Sequence, residues 1–154
     1  MEINDLLTQK AVLTGIKATS KKQTIQELAH RASEIAGVPE RTIFDVLLER
    51  ERLGTTGVGR GIAIPHGKLS EVDRLYGLFA RLEVPVDFDA VDGQPVDLMF
   101  LLLAPEEAGA DHLKALARIS RLFRDADLCD RLRRTSDSEE LLELLTRGVS
   151  ANAA

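Results

Sequence analysis

The chain has 154 residues, which fits one domain with a single core, and its 44% hydrophobic and 29% charged residues are typical of a soluble globular protein. The formal net charge of −5 disfavours nucleic acid as a partner, because proteins that neutralise many phosphates usually carry a basic excess. The single cysteine, Cys129, excludes an intrachain disulfide. We also find no signal peptide and no apolar stretch approaching the roughly 20 residues that cross a bilayer, so we expect a cytoplasmic protein without membrane insertion.

Two helices are predicted in the first third of the chain. Ser20 and Gln23 fit the S-x-x-Q capping box that begins a helix, and the apolar i, i+3, i+4 stripe that follows ends at Gly37. A second helix is predicted from Pro39, a residue suited to the first helical turn, to about Leu53.

Strands are predicted in the middle of the chain. A glycine-rich segment leads into a short apolar run at Ile62–Ile64, and residues 75–84 alternate with period two. Because Arg81 and Glu83 lie on the second face of that strand, we expect it near an edge of the sheet. Residues 96–104 are apolar on both faces, which is typical of a central strand covered by helices on both sides.

The C-terminal third is predicted to be helical. One helix is expected over about 111–123, a shorter one over 127–133, and a last one after the capping box Ser136–Glu139. Helices before, between and after the strands predict a layered α/β sandwich around a small mixed sheet. We expect one domain over residues 1–149 and a flexible tail over 150–154.

The stretch from Arg52 to Lys68 carries the candidate chemistry. Pro65 stiffens the chain just before His66, and Gly67 leaves the imidazole uncrowded. Neutral imidazole has a free lone pair near pH 7, so a rigidly held histidine beside anion-binding donors can attack phosphorus without a separate base. His66 is therefore the candidate nucleophile.

Several neighbours of this histidine are suited to hold a phosphate. Arg52 and Arg60 add fixed positive charge, and backbone N–H groups can stabilise a transferring phosphoryl group. The predicted phosphate-binding loop comprises Thr55, Thr56, Gly57 and Gly67. The alternative stays open at this point: the histidine can simply hydrogen-bond in a turn, and glycine-rich loops often only make turns.

Two nucleotide-binding motifs are excluded. Gly61–Lys68 has five residues between its glycines where a P-loop has four, and Leu69 stands where Ser or Thr should bind magnesium. Gly57–Gly61 fails the G-x-G-x-x-G pattern, because Ile62 replaces the third glycine. We therefore expect no nucleotide cofactor.

The other two histidines are weaker candidates. His112 falls in the first turn of a predicted helix, where the helix dipole favours an anion and lowers the pKa of the imidazole; the alternative is a solvent-facing side chain. His30 lies off its helix's apolar stripe and is expected to be exposed. A metal site joining His66 and His112 would need Asp97 or Asp111 from distant segments, and the short His/Cys spacing of a zinc site is lacking, so no metal is expected.

The segment Gly54–Lys68, with the sequence GTTGVGRGIAIPHGK, resembles the type-2 (fructose/mannitol) enzyme IIA family of the bacterial phosphoenolpyruvate-dependent phosphotransferase system, most closely its nitrogen-regulatory branch. Supporting matches are the segments 50–54, 88–97 and 111–116. The resemblance covers nearly the whole chain, from about residue 3 to residue 147.

This resemblance implies a role for each matching residue. His66 would accept a phosphoryl group from an HPr-like phosphocarrier, which is charged through an enzyme I using phosphoenolpyruvate, and we favour its Nε2 atom. His112 would position the phosphate, and Arg52 matches the active-site arginine. The implied fold is a three-layer α/β/α sandwich with a mixed sheet of about five strands. Arg60 stands where many relatives have a neutral polar residue, so its role is open.

Three functions are compatible with this sequence. The first is a regulatory phosphocarrier, a monomer or weak dimer, whose phosphorylation state controls its binding to targets such as potassium transport proteins or sensor kinases. The second is a sugar-transport IIA component that passes the phosphate to a IIB domain. The third is a binding module that has kept only the fold, which the presence of His66, His112 and Arg52 disfavours. A chain without a fused IIB domain or membrane segment favours the first, and gene neighbourhood would discriminate.

Overall fold

The computed structural model describes residues 2–147, and the predicted tail at 150–154 lies outside them. The described residues form five α-helices and six strands, besides two short 3-10 turns before the first strand. The helices are α1 (Lys21–Ala36), α2 (Glu40–Arg52), α3 (Ala110–Leu122), α4 (Ala126–Arg134) and α5 (Ser138–Arg147). The strands are β1 (Val12–Ile16), β2 (Gly57–Gly59), β3 (Ile62–Ala63), β4 (His66–Leu69), β5 (Tyr76–Val86) and β6 (Val96–Pro105). No helix within 2–147 is long and apolar enough to span a membrane.

The six strands form one mixed sheet in the order β1-β5-β6-β3-β2, with β4 also paired to β6. β5 and β6 are antiparallel, whereas β1, β3 and β4 each run parallel to their long neighbour. Residues 98–104 of β6 are all buried, which confirms the prediction of a central strand covered on both sides. The mixed α/β fold is confirmed. The short strands β1, β2 and β4 were not predicted, because none of them has enough residues for a clear alternation.

The prediction that β5 lies near an edge is confirmed, because only β1 separates it from the edge of the sheet and the pairing with β1 ends at Leu82. β5 pairs with β1 on one side and with β6 on the other. The charge of Arg81 is accommodated inside the sheet because its Nη1 donates to the carbonyl oxygens of Leu132 (2.8 Å) and Arg133 (3.3 Å), at the end of α4. The half-buried Arg81 therefore finds carbonyl acceptors at the end of α4, on a strand that lies next to the edge strand.

Helices cover both faces of the sheet. Phe79 of β5 pairs directly with Phe100 of β6, so both rings point to one face, where each packs on Phe123 at the end of α3 with centroids 6.4 and 6.2 Å apart. Gly67 of β4 faces the opposite side, toward Val46 of α2. Helices α2 and α3 thus lie on opposite faces, in agreement with the expected three-layer sandwich.

The predicted ends of α1 are confirmed. Ser20 Oγ accepts a hydrogen bond from the backbone N–H of Gln23 (3.1 Å), and Gly37 ends the helix with a left-handed φ of 70°. The capping box is modified, because the side chain of Gln23 accepts from the N–H of Thr19 (2.6 Å). The start of α1, where Lys21 follows Ser20, is therefore fixed from both sides.

The prediction that Ser136 caps the last helix is wrong. Asp137 caps α5 instead, since its Oδ1 accepts from the backbone N–H of Glu139 at 3.1 Å. The predicted α4 is confirmed with small changes at its ends, and Cys129 lies buried on it as a small apolar residue. Burial raises the pKa of the Cys129 thiol, which keeps it protonated.

Candidate functional site

His66 is the first residue of β4 and is held at both backbone and side chain. Its strand runs parallel to β6, with His66 opposite Leu102, so the ring points to the face that α3 covers. The Nδ1 atom lies 2.8 Å from the carbonyl oxygen of Ile64. Because a carbonyl can only accept, Nδ1 carries the proton and Nε2 holds the lone pair.

Arg50, near the end of α2, contacts this lone pair. Its Nε donates to His66 Nε2 at 3.2 Å, and its Nη1 donates to the carbonyl oxygen of Gly54 at 2.9 Å. A guanidinium has only donors, so the contact also requires an unprotonated Nε2. The two hydrogen bonds on opposite ends of the ring therefore specify the same neutral tautomer.

The electrostatics of His66 favour the neutral form. Burial is the largest cause and lowers the pKa of the imidazole below its ordinary value of 6.5. The hydrogen bond to the Ile64 carbonyl raises the pKa, and the positive charge of Arg50 lowers it further. Since the net direction is downward, His66 is neutral at pH 7, with a lone pair available on Nε2.

His112 lies beside His66, with ring centroids 5.7 Å apart. It is the third residue of α3, and the side chain is buried, with the residue only 5% exposed, so the solvent-facing alternative is wrong. Its Nδ1 is buried without a hydrogen-bond partner among the residues that the structure describes. Burial is the largest cause of its lowered pKa, followed by repulsion from the protonated form of His66 and from Lys68. His112 is thus a neutral imidazole with an unused polar atom at the site.

An open groove of about 610 Å³ gives access to both histidines. One wall is the last two turns of α2, including Val46, Arg50 and Leu53, and the floor includes Gly67 and Lys68 of β4. No side chain caps the start of α3 at Gly109, so the N-terminal end of that helix is available to an anion. The groove can receive a phosphoryl group, because Arg50 contacts His66 and Lys68 adds a second cation to the lining.

Arg52, the arginine expected at this site, does not join it. Its guanidinium forms an exposed ion pair with Glu49 (Nη1 to Oε2, 3.1 Å), and its side chain is 67% exposed. Two residues along a helix correspond to a rotation of about 200°, so Arg50 and Arg52 point in nearly opposite directions. Arg50 follows Val46 by four residues, so both side chains lie on the side of α2 that lines the groove. This spacing is the feature of the sequence that distinguishes Arg50 from Arg52.

The predicted phosphate-binding loop is used mostly for packing. The hydroxyl of Thr55 donates to the carbonyl of Phe88 (2.9 Å), and the buried hydroxyl of Thr56 donates to Glu51. A Cβ on Gly57 would lie 2.9 Å from the Cα of Ala90, so glycine is required there for close approach. Thr55 and Gly57 join the loop to the segment after β5, Thr56 joins it to α2, and none of the three lines the groove.

Gly67 is the one member of that predicted loop that lines the groove. An added Cβ there would collide with the Cγ1 of Val46 on α2. The absence of a side chain lets β4 pack directly on α2, which brings Arg50 within reach of His66. Its contribution is close packing beside the nucleophile.

Arg60 lies away from the histidines. Its guanidinium donates to the carbonyls of Phe123 and Arg124 (both 3.3 Å), which terminate α3, and its backbone N–H donates to Asp92 (2.9 Å). Arg60 thus satisfies free carbonyls at a helix end. Within 2–147 we find no group of three His, Cys, Asp or Glu side chains placed to hold a metal ion.

Residues 5–148 match the family model described as "Phosphoenolpyruvate-dependent sugar phosphotransferase system, EIIA 2". The chain therefore belongs to the type-2 enzyme IIA family of the phosphoenolpyruvate-dependent phosphotransferase system, and as such is a phosphotransferase component.

Its similarity extends to nitrogen regulatory members of that family. The chain is 58% identical over 145 residues to the nitrogen regulatory protein of Bradyrhizobium diazoefficiens, covering 94% of this chain and 95% of that protein. It is 37% identical over 147 residues to the protein of that name from Escherichia coli, covering 95% and 90% of the two chains. The crystal structure of nitrogen regulatory protein IIA-Ntr from Neisseria meningitidis superposes with a TM-score of 0.89 at 35% identity, covering 94% of this chain and 99% of that one.

Proposed function

We propose that His66 accepts a phosphoryl group on Nε2 from an HPr-like phosphocarrier protein, and that the phosphorylation state of this chain regulates target proteins. The observation that carries the proposal is the pair of hydrogen bonds on the His66 ring. Nδ1–H is held by the Ile64 carbonyl, which leaves the Nε2 lone pair facing the groove beside Arg50. Membership of the IIA family and similarity to nitrogen regulatory proteins support the same reading.

The transfer is a substitution at phosphorus. A new N–P bond forms at His66 Nε2 while the N–P bond of the donor's phosphohistidine breaks, and the bonding pair returns to the donor nitrogen. His66 does not have to lose a proton, because Nδ1–H stays on the Ile64 carbonyl throughout. The positive charge that develops on the ring is shared with that carbonyl and with the attached phosphoryl oxygens.

Arg50 and His112 are placed to bind the arriving phosphoryl group. Arg50 is a planar donor that can turn from the Nε2 lone pair to two phosphoryl oxygens. His112 presents a neutral imidazole at the uncapped start of α3, where the helix end also attracts negative charge. These donors stabilise charge on the transferring group, which is the main requirement of phosphoryl transfer.

The phosphoryl group also changes the surface that a target protein meets. It adds up to about two negative charges at pH 7 to a groove whose nearby surface includes the exposed apolar side chains of Leu53 and Leu113. A charge placed next to an apolar contact surface disrupts one interface or creates another. We propose potassium transport proteins or sensor kinases as the class of target.

The phosphoacceptor role is tested with phosphoenolpyruvate, enzyme I and an HPr-like carrier. We expect an acid-labile mass gain of about 80 Da, the mass of HPO3, on the native chain. His66→Ala should show no gain, and His30→Ala should match the native chain, because His30 lies outside the groove. Absence of the adduct on the native chain, or its persistence on His66→Ala, would contradict the proposal.

The regulatory role is tested by onward transfer. The phosphorylated chain is mixed with a purified IIB domain of the fructose/mannitol type, and the phosphohistidine is followed over time. We expect the phosphoryl group to remain on His66, since a regulatory chain reports its state through binding. Rapid passage to IIB would instead support a sugar-transport component.

A further inference from the structure

Glu51 is a buried carboxylate that the proposed phosphoryl transfer does not use directly. It immediately follows Arg50 on α2, and its side chain is only 4% exposed. Both carboxylate oxygens lie 3.2 Å from the backbone N–H of Thr56, and one also accepts from the Thr56 hydroxyl. Burial of a charged group is costly unless it is paired and hydrogen-bonded, so this arrangement calls for an explanation beyond packing.

Lys21 supplies the counter-ion. Its Nζ lies 2.9 Å from Glu51 Oε2, and the lysine is mostly buried, with its ammonium 4.8 Å from the centre of the Phe88 ring. Lys21 is the first residue of α1, directly after the cap at Ser20. The pair therefore joins the fixed start of α1 to the end of α2.

Two short paths connect Glu51 to opposite ends of the His66 ring. On one side the preceding residue on α2 is Arg50, which donates to Nε2. On the other side Glu51 holds Thr56, whose carbonyl oxygen accepts from the backbone N–H of Ile64 at 3.0 Å. The carbonyl of Ile64 then accepts from Nδ1 of His66.

We infer that Glu51, paired with Lys21, is a positioning residue that sets the tautomer of His66. It fixes the helix end that carries Arg50 and, through Thr56, the segment that carries the Ile64 carbonyl. Neither Glu51 nor Lys21 contacts the phosphoryl group. The inference about the rate of transfer rests on the proposed function, whereas the inference about the tautomer concerns the unphosphorylated protein and stands separately.

The test is Glu51→Gln, which keeps the size of the side chain and removes the charge that pairs with Lys21. The ring ¹⁵N chemical shifts of His66 are measured on the unphosphorylated protein at about pH 8, where imidazole is neutral. The native chain should show a single Nδ1–H tautomer. Glu51→Gln should show shifts averaged between the two tautomers, because Arg50 and the Ile64 carbonyl are no longer held together.

Kinetics then measure the size of the effect. We expect the maximal rate of phosphoryl uptake by Glu51→Gln to fall about 10-fold, since small displacements of a reacting group cost this much or more. The KM for the phosphocarrier should change less than about twofold, because the outer surface of the groove is unaltered. Failure of the native chain to accept phosphate would overturn the proposed function and leave the tautomer result to decide this inference.

Glu40→Gln is the matched control. Glu40 lies on the same helix, is exposed, and pairs with His30, so its loss should leave the His66 shifts unchanged. If Glu51→Gln does not fold, Thr56→Val replaces it, since this variant removes only the hydroxyl donor to Glu51 and should shift the tautomer in the same direction. A single Nδ1–H tautomer in the folded variant overturns the inference, whatever the rate.

Discussion

The surroundings of His66 and those of His30 shift the pKa of an imidazole in opposite directions. His66 is half-buried between a carbonyl oxygen and a guanidinium, and burial is the main cause of its lowered pKa. His30 is 52% exposed, with Nδ1 2.8 Å from Glu40 Oε1, and the hydrogen bond to Glu40 is the main cause of its raised pKa. A neighbouring carboxylate thus favours the protonated imidazole, whereas burial beside an arginine favours the neutral one.

This difference separates a nucleophile from a surface ion pair. Protonation removes the lone pair that must attack phosphorus, so surroundings that raise the pKa, as those of His30 do, would oppose the role of His66. The buried carboxylate nearest to His66, Glu51, is already paired with Lys21. Glu51 still raises the pKa of His66, but burial outweighs it and the net direction is downward, so the site keeps a negative group close for positioning.

The largest expected difference between the regions is the effect of deleting each histidine. His66→Ala should lower phosphoryl uptake by more than about 10³-fold, because the attacking atom is gone. His30→Ala should stay within about twofold of the native rate. Rates are measured by quenched-flow mass spectrometry with a phosphorylated HPr-like carrier. Comparable losses of uptake rate in the two variants would contradict the claim that His66 is the nucleophile and His30 is not.

The second-largest difference is expected between the rates of phosphoryl uptake after replacement of Arg50 and of Arg52, the two arginines at the end of α2. Arg50→Ala should reduce the rate of uptake about 10²-fold, the usual cost of losing one preorganised donor to a transferring group. Arg52→Ala removes only an exposed ion pair with Glu49 and should change the rate less than about twofold. The same rate assay checks both variants. A larger loss in Arg52→Ala would restore the assignment made from the sequence.

His112 should have a smaller effect than Arg50. His112→Phe keeps a ring of similar shape and removes the polar atoms, so we expect about a 10-fold lower rate. The exposed neighbour Lys114→Ala is the control and should leave the rate unchanged. Unchanged uptake in His112→Phe, measured as before, would assign this histidine to packing alone.

The smallest expected effect is the difference between the pKa values of the imidazoles in the two regions. In an NMR titration of the native chain, His66 and His112 should titrate below 6.5 and His30 above it. The ring C–H resonances report each value separately. A titration of His66 above that of His30 would contradict the electrostatic contrast.

These pKa shifts have opposite consequences for stability. For His66 the folded-state pKa is lowered, so its contribution is present above the unfolded value of about 6.5 and is lost as pH falls through the folded pKa. For His30 the folded pKa is raised, so its contribution is present below about 6.5 and is lost as pH rises through the folded pKa. Chemical unfolding of His66→Ala and His30→Ala across this range checks both signs.

The sequence identified His66 and His112 because each carries a local signal: a stiff Pro-His-Gly turn and a helix start. It misassigned the arginine, because Arg50 and Arg52 are equally suited to phosphate and only the side of the helix separates them. Glu51 was missed for a related reason. It continues the buried stripe of Ile43 and Leu47 at four-residue spacing, where a carboxylate is not expected.

The glycine-rich segment shows a second reason why part of the site could not be predicted from the sequence. Thr55 and Thr56 have the composition of an anion-binding loop, but their hydroxyls are used by Phe88 and Glu51, which lie elsewhere in the chain. Phe88 lies 33 residues from Thr55, and no pattern within the loop reveals it, whereas Glu51 lies only five residues from Thr56 and its burial was not expected. The helices were predicted well because caps and periodicity are local, whereas the short strand β1 gains its stability from pairing with β5.

The most direct test is to locate the phosphoryl group on the His66 ring. The chain is labelled with ¹⁵N, phosphorylated through the carrier, and examined for coupling between ³¹P and each ring nitrogen. We expect the phosphorus to be bonded to Nε2, with Nδ1 still protonated and donating to Ile64. A bond to Nδ1, or a phosphoryl group on another residue, would contradict the claim that the Ile64 carbonyl and Arg50 select the reacting atom.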